Sequence, residues 1–226
     1  MPAENVIRLR ALLSEKFPGL RLRLDESRQS DYKFQPTALQ QIDRPLRGGL
    51  PRGALTEIVA ASQSCGSATL IKALLQQCAQ TSQIGALIDG NDSLEVGQTD
   101  EKILARLLWI RCHTAEEAVK AADLVLRDGN LSFVLLDLKL NPESQLRKIP
   151  PRTWYRFQRL VEQTSAVCIV VTPRPLVSGA QARIVVQSQF SLDAVELATA
   201  QLLDRLKVEA SNLRQPVQTE FATVAG

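Results

Sequence analysis

The feature that most constrains the fold is an alternation between short, continuous apolar runs and longer segments with helical spacing. The runs include GALIDG at 85–90, LSFVLLD at 131–137 and AVCIVV at 166–171. Strands that are apolar on both faces are typical of a sheet covered by helices on both sides. Strands that alternate with helices in this way predict an α/β fold with a mainly parallel sheet and helices flanking it.

The pattern also predicts the order of elements and the domain organisation. Strands are predicted at 54–60, 84–89, 107–111, 131–137, 166–172 and 182–188, and helices at 68–81, 98–106, 114–128, 151–164 and 191–209. An amphipathic N-terminal helix over 3–16 and a polar linker make residues 1–36 an arm. We expect residues 37–209 to form the core domain and residues 210–226 a flexible tail.

Composition narrows the class of protein. No run approaches the roughly 20 apolar residues of a membrane span, and the N-terminus lacks a signal-peptide pattern, so we expect a soluble, cytoplasmic protein without membrane contact. Cysteines at 65, 78, 112 and 168 are scattered and only His113 could join them. This spacing favours reduced, buried cysteines over a metal cluster, so no metal site is predicted.

Residues 55–70, LTEIVAASQSCGSATL, have the strand, small-residue loop and helix layout that binds nucleotide phosphates. The working pattern is G-x-x-x-x-G-K-[ST], and here its positions hold Ala61, Gly66, Ser67 and Ala68. Ser67 supplies no cation for phosphate, and Ala68 supplies no oxygen for magnesium. We therefore expect no catalytic residues and no ATP or magnesium cofactor. Hydroxyls such as that of Thr69 leave weak nucleotide binding open.

Residues 139–183 carry a strong excess of positive charge, because this segment contains eight basic residues and only two acidic ones. This segment is a candidate surface for a partner protein or DNA, although a solvated helix face is an equally good interpretation. Aromatic residues between the arginines could stack on bases or anchor a protein interface. The residues predicted for this surface are Lys139, Arg147, Lys148, Arg152, Trp154, Arg156, Arg159 and Arg174.

Most of the chain resembles the core of the RecA recombinases. The resemblance is carried by GGLPRGALTEIVA at 48–60, GALIDGND at 85–92, the segment from LLWIRC to FVLLD at 107–137, and AVCIVVTP at 166–173. It implies a RecA-like fold, and the altered phosphate loop and small size resemble the ImuA and SulA branch, whose members act in the bacterial SOS response.

The resemblance also assigns positions that matter for ATP hydrolysis. Asp137 matches the acid that positions magnesium in the family, although an ordinary strand-end aspartate is the simpler interpretation. Asn91 stands where active members carry the glutamate that activates water, and an amide cannot act as that base. The gap at 173–181 is too short to match the mobile DNA-binding loop of an active recombinase. These differences predict a pseudo-ATPase.

Three functions remain open from the sequence. The leading hypothesis is an ImuA-like accessory protein in DNA repair and translesion synthesis. Such a protein would bind a recombinase or components of an error-prone polymerase complex. Single-stranded DNA is a further candidate partner. The alternative is a SulA-like inhibitor of cell division. A third is an ATPase in which Lys72 replaces the missing lysine. Without ATP control of assembly, we expect a monomer or weak oligomer.

Overall fold

The computed structural model describes residues 2–18, 33–95, 97, 99–191, 194 and 197–213. Its strands are β1 (Phe34–Gln35), β2 (Leu50–Pro51), β3 (Ala54–Val59), β4 (Gly85–Asp89), β5 (Leu107–Arg111), β6 (Phe133–Asp137), β7 (Val167–Thr172), β8 (Ala182–Val186) and β9 (Val208–Asn212). Its helices are α1 (Pro2–Lys16), α2 (Gln40–Asp43), α3 (Ser67–Gln80), α4 (Glu101–Leu104), α5 (Ala115–Asp128), α6 (Glu143–Leu146), α7 (Arg152–Thr164) and α8 (Thr199–Asp204). β1 and β2 form a separate antiparallel pair.

A seven-stranded sheet organises the chain in the order β5-β4-β6-β7-β3-β8-β9. Neighbouring strands are parallel from β5 to β8, and only β9 runs antiparallel to its neighbour β8. Successive residues of a strand point to opposite faces, so Ile169 and Val170 belong to different apolar clusters. Helices cover both faces, as the continuous apolar strands predict. The predicted α/β fold is therefore confirmed.

Local sequence signals explain how the longer helices begin and end. At the start of α5 the Thr114 hydroxyl accepts a hydrogen bond from the Glu117 N–H at 3.2 Å, and the helix ends at Gly129, which has φ +71°. The inner face of α7 buries Trp154 and Phe157, whose rings meet edge to face with centroids 6.0 Å apart. The apolar inner face of α7 thus packs against the core.

The N-terminal helix α1 packs on α5. Leu9 and Leu13, one helical turn apart, are buried in the same cluster as the inner face of α5. Arg10 pairs with Asp128 at 2.7 Å, and the Asp128 side chain is only 1% exposed. The predicted linker lies largely outside the described residues. Its last part, Phe34–Gln35, forms β1.

The C-terminal part of the core differs from the prediction. A single helix over 191–209 is wrong, because the chain forms the short helix α8 and then the strand β9. Burial along β9 alternates between half-buried and exposed residues, which is the period of an edge strand. β9 ends at Asn212, and residues 214–226 of the predicted tail lie outside the described residues. The predicted helix over 98–106 is also shorter, and only α4 is formed.

Candidate functional site at the carboxyl edge of the sheet

The parallel strands bring four connections to one edge of the sheet. β3, β4, β6 and β7 run in the same direction, so the segments that follow them lie at the same edge. In open parallel sheets this carboxyl edge is where ligands bind. The predicted phosphate loop follows β3, the predicted acid position follows β4, and Asp137 ends β6. The topology therefore brings these sequence-predicted positions to one edge.

The β3–α3 loop, residues 60–66, ends at a glycine that the structure requires. Gly66 has φ +85°, and a Cβ at this position would lie 2.6 Å from the Phe190 ring and 2.7 Å from Leu206. The Phe190 N–H also donates a hydrogen bond to the Ser64 carbonyl at 3.0 Å. The chain between β8 and β9 thus covers one side of the loop.

Lys139 reaches the other side of the loop from the end of β6. Its ammonium Nζ donates to Ser67 Oγ at 2.8 Å and to the Gln63 carbonyl at 3.2 Å, and it lies 3.7 Å from Cys65 Sγ. Both Ser67 and Cys65 are buried. Sequence analysis places Lys139 on an external contact surface. The structure instead directs its charged end into the β3–α3 loop, a contact across 72 residues that no local pattern signals.

Two aspartates lie beside this lysine at the ends of β4 and β6. Burial raises the pKa of the Asp137 carboxyl from 3.8 to about 6, and the nearby charge of Asp89 adds to the rise. The Lys139 N–H, which donates to Asp137 Oδ1 at 2.9 Å, and the Lys139 charge act in the opposite direction. Asp89 accepts hydrogen bonds from the Ser93 and Leu94 N–H groups, both at 2.8 Å. It thereby organises the turn that contains Asn91, which is exposed.

A cavity of about 470 Å³ opens next to these residues. Its polar end is formed by Ser67, Lys139, Asp89 and Asp137, and Lys72, the alternative lysine, also lines it. Apolar side chains from α3, β4, α4 and α8 form the rest of the wall, namely Ile71, Leu75, Leu87, Ile103 and Leu202. Cavities of this size and lining are typical of small-molecule sites.

Glu57 forms a second polar centre, inside β3, that sequence analysis missed. Its fully buried carboxylate accepts hydrogen bonds from the Leu176 N–H at 2.6 Å, the Val177 N–H at 2.9 Å and Thr172 Oγ1 at 3.1 Å. Arg183 completes the shell with an ion pair at 2.9 Å. The segment after β7, which corresponds in the resemblance to a mobile DNA-binding loop, is therefore fixed to the middle of the sheet. The sequence did contain a signal for this centre, namely an acidic residue within an otherwise apolar strand.

The outer face of α7 carries part of the predicted contact surface. Arg152, Tyr155, Arg156 and Arg159 are all exposed, and their spacing of three, four and seven residues places them on one side of the helix. Tyr155 is 59% exposed, and its ring lies next to Gly179. Trp154 does not belong to this surface. It is 1% exposed, because it shares the inner face with Phe157.

Acidic neighbours neutralise several residues of the basic segment. Arg174 and Arg147 both pair with Glu143, at 2.7 and 3.0 Å, and these hydrogen bonds hold the pKa of Glu143 below its ordinary value. Arg156 pairs with Asp123 at 2.7 Å. Within the described parts of the chain, the members of the segment that make no ion pair and remain exposed are Lys148, Arg152 and Arg159. The unpaired positive charge is therefore concentrated around α7.

The described residues contain neither a reactive surface cysteine nor a metal-binding cluster. All four cysteines are free and buried, and burial raises the pKa of Cys78 and Cys168 to about 12, so these two thiols stay protonated at neutral pH. No group of three metal-binding side chains occurs within the described ranges. In the same part of the chain, no helix has the length and apolar character required to cross a bilayer.

Comparisons with known proteins agree with this architecture. Protein RecA of Methylococcus capsulatus is 33% identical over 122 residues, which cover 51% of this chain and 35% of that protein. Protein RecA of Azoarcus sp. is 32% identical over 104 residues, 44% of this chain and 30% of that protein. The matched region thus spans about a third of the length of these relatives. No protein-family model matches the chain.

The structural comparison points the same way. The crystal structure of the RadB recombinase superposes with a TM-score of 0.51 and covers 66% of this chain and 81% of that chain. The sequence identity in this superposition is 14%, so the likeness is evidence for the fold alone. Together with the partial similarity to RecA proteins, it shows that the chain has a RecA-like α/β fold.

Proposed function

We propose that this chain is a non-catalytic RecA-like accessory protein of the bacterial DNA-damage response, similar to ImuA, which acts by binding a partner protein. The observation that carries the proposal is the chemistry of the β3–α3 loop. Where a working loop has lysine and a magnesium-binding hydroxyl, this chain has Ser67 and Ala68. The cation that does reach the loop, Lys139, already donates to the chain's own acceptors.

Hydrolysis of ATP needs several groups at the same time. A lysine must pair with the β- and γ-phosphates, an oxygen must hold magnesium, and a further side chain must position or activate the attacking water. Asn91 at the water-activating position carries an amide, which has no basic oxygen for a proton. Asp89 and Asp137 are the acids at this edge, and burial raises the pKa of Asp137 to about 6, but a carboxylate cannot replace the missing lysine that pairs with the phosphates. These features support a loss of turnover.

The outer face of α7 is the surface we assign to the partner. It combines an exposed aromatic ring, Tyr155, with the unpaired arginines Arg152 and Arg159 on a helix whose inner face is fully packed. Exposed tyrosine and arginine are enriched in the energetic centres of protein interfaces. A rigid helix also presents these side chains without an ordering cost for the backbone. We expect the partner to be a recombinase or a subunit of an error-prone polymerase.

The test is an affinity pull-down from DNA-damaged cells with the tagged chain and the double variant Arg152→Glu/Arg159→Glu. The matched control is Arg8→Glu/Arg44→Glu, which reverses the charge of two exposed arginines that are not part of α7. Recovery of a recombinase or polymerase subunit by the wild type and the control, but not by the α7 variant, is the expected result. Recovery of the tubulin-like division protein instead, or magnesium-dependent ATP turnover that Asp137→Ala abolishes, would overturn the proposal.

A further inference from the structure

The β3–α3 loop holds a ligand that the chain itself supplies. We propose that the ammonium group of Lys139 is the permanent internal ligand of this loop and fixes the loop, without any nucleotide, to the segment that follows β6. The inference extends the proposed function, because it explains how a RecA-like fold keeps this edge ordered without ATP. It concerns contacts inside the chain and does not depend on which partner binds.

Each hydrogen-bond donor of the Lys139 ammonium has an acceptor. An ammonium group carries three N–H donors. Here Nζ meets Ser67 Oγ at 2.8 Å, the Gln63 carbonyl at 3.2 Å and the weaker acceptor Cys65 Sγ at 3.7 Å. A phosphate could bind this ammonium only by displacing one of these acceptors. In this arrangement the loop directs two oxygen acceptors and one sulfur acceptor toward the ammonium.

The opposite side of the loop is closed by another part of the chain. The Phe190 N–H binds the Ser64 carbonyl, and the Phe190 and Leu206 side chains lie so close to Gly66 that a Cβ there would require them to move. Lys139 on one side and Phe190 on the other therefore hold the loop between them. In this arrangement the chain supplies contacts on both sides of the loop.

Two further hydrogen bonds anchor the segment after β6 on either side of this contact. The Lys139 N–H binds the Asp137 carboxylate, and two residues later Asn141 Nδ2 donates to the Gly90 carbonyl at 2.6 Å. Gly90 permits this approach, because a Cβ there would lie 2.3 Å from the Asn141 amide oxygen. Residues 137–141 are thus anchored to the β3–α3 loop and to the end of β4 together. This segment leads into α6 and then α7, so the lysine connects the loop to the start of the proposed partner surface.

Hydrogen–deuterium exchange with mass spectrometry tests the inference on the full chain. Lys139→Met keeps the length of the side chain but removes its charge, and we expect exchange at residues 62–68 and 138–142 to become about tenfold faster. The matched control is Lys148→Met in the same segment, whose exposed side chain makes no ion pair among the described residues, and it should leave these peptides unchanged. Wild-type exchange in the loop should also be unaffected by millimolar Mg²⁺ with inorganic pyrophosphate.

A double-mutant cycle separates this contact from a general loss of stability. Ser67→Ala removes the nearest acceptor of the ammonium. The double variant Ser67→Ala/Lys139→Met should therefore accelerate exchange by less than the product of the factors measured for the two single variants. Should Lys139→Met fail to fold, Ser67→Ala alone is expected to accelerate exchange at 138–142. Unchanged exchange in both single variants, or strong protection of the wild-type loop by pyrophosphate, would overturn the inference. ATP turnover by the wild type would instead refute the proposed function, whatever the exchange shows.

Discussion

Glu57 and Arg183 form an ion pair at 2.9 Å in which the carboxylate is fully buried and the arginine is partly exposed. The same carboxylate accepts hydrogen bonds from the Leu176 and Val177 N–H groups, so one side chain of β3 holds the middle of the connection between β7 and β8. Buried carboxylates are costly unless their oxygens are satisfied, and here four donors satisfy them. The connection is short and tied to the core, which distinguishes it from a mobile nucleic-acid-binding loop.

Replacing Glu57 should therefore loosen this connection. Glu57→Gln keeps an acceptor for the N–H groups but loses the charge opposite Arg183, and we expect the free energy of unfolding to fall by about 1–3 kcal/mol, since Arg183 can recover part of its solvation. Urea unfolding followed by circular dichroism measures this change. The control Glu95→Gln alters an exposed carboxylate and should be nearly neutral. Equal stabilities of the two variants would show that the buried pair contributes nothing.

Asp137 should make stability depend on pH. Its folded pKa of about 6 lies above its ordinary value of 3.8, so between these two pH values the folded state keeps the proton that the unfolded state has lost. The stability from this group is fully present below about pH 4 and is lost as the pH rises through 6, by up to about 3 kcal/mol. Asp137→Asn should therefore be more stable than the wild type at pH 7.5, and the difference should disappear near pH 4.

Thermal melts at pH 4, 5, 6 and 7.5 measure this dependence for the wild type and Asp137→Asn. Asp204→Asn provides the control, because Asp204 is exposed at the end of α8 and its melts should follow those of the wild type. An Asp137→Asn difference that stays constant over this range would contradict the raised pKa.

Packing of α1 on the core gives a third prediction. Leu13 is 1% exposed and belongs to the cluster under α5, whereas the adjacent Leu12 is 53% exposed. Leu13→Ala should lower the free energy of unfolding by about 2–4 kcal/mol, and Leu12→Ala by less than about 0.5 kcal/mol. Chemical denaturation of both variants tests the contact, and similar losses would show that α1 does not pack as described.

The sheet was predictable because its strands are read from local signals. Continuous apolar runs and helical spacing predicted the longer helices α3, α5 and α7 and the strands β3 to β8 within a few residues. The C-terminal error has a physical reason: the predicted helix over 191–209 and the predicted tail from residue 210 meet inside Val208–Asn212, where a strand forms because β8 offers an edge for pairing. Edge pairing is a long-range interaction that a local pattern does not contain.

The site was only partly predictable for the same reason. The altered positions of the β3–α3 loop are visible in the sequence, but Lys139 reaches Ser67 from 72 residues away, and Glu57 reaches Arg183 from 126 residues away. The position of Trp154 was readable from the sequence. Its spacing of three from Phe157 places both rings on one helix face, which argues for the core and leaves Tyr155 as the exposed aromatic.

The most direct test of the proposed non-catalytic role is a titration of the purified wild-type chain with ATP and Mg²⁺, in which binding heat and phosphate release are measured on the same samples. We expect no saturable heat below millimolar ATP and no phosphate release above that of buffer, because Lys139 occupies the loop and Ser67, Ala68 and Asn91 stand where turnover needs other groups. Saturable binding at micromolar ATP with phosphate release that Asp137→Ala abolishes would contradict this expectation.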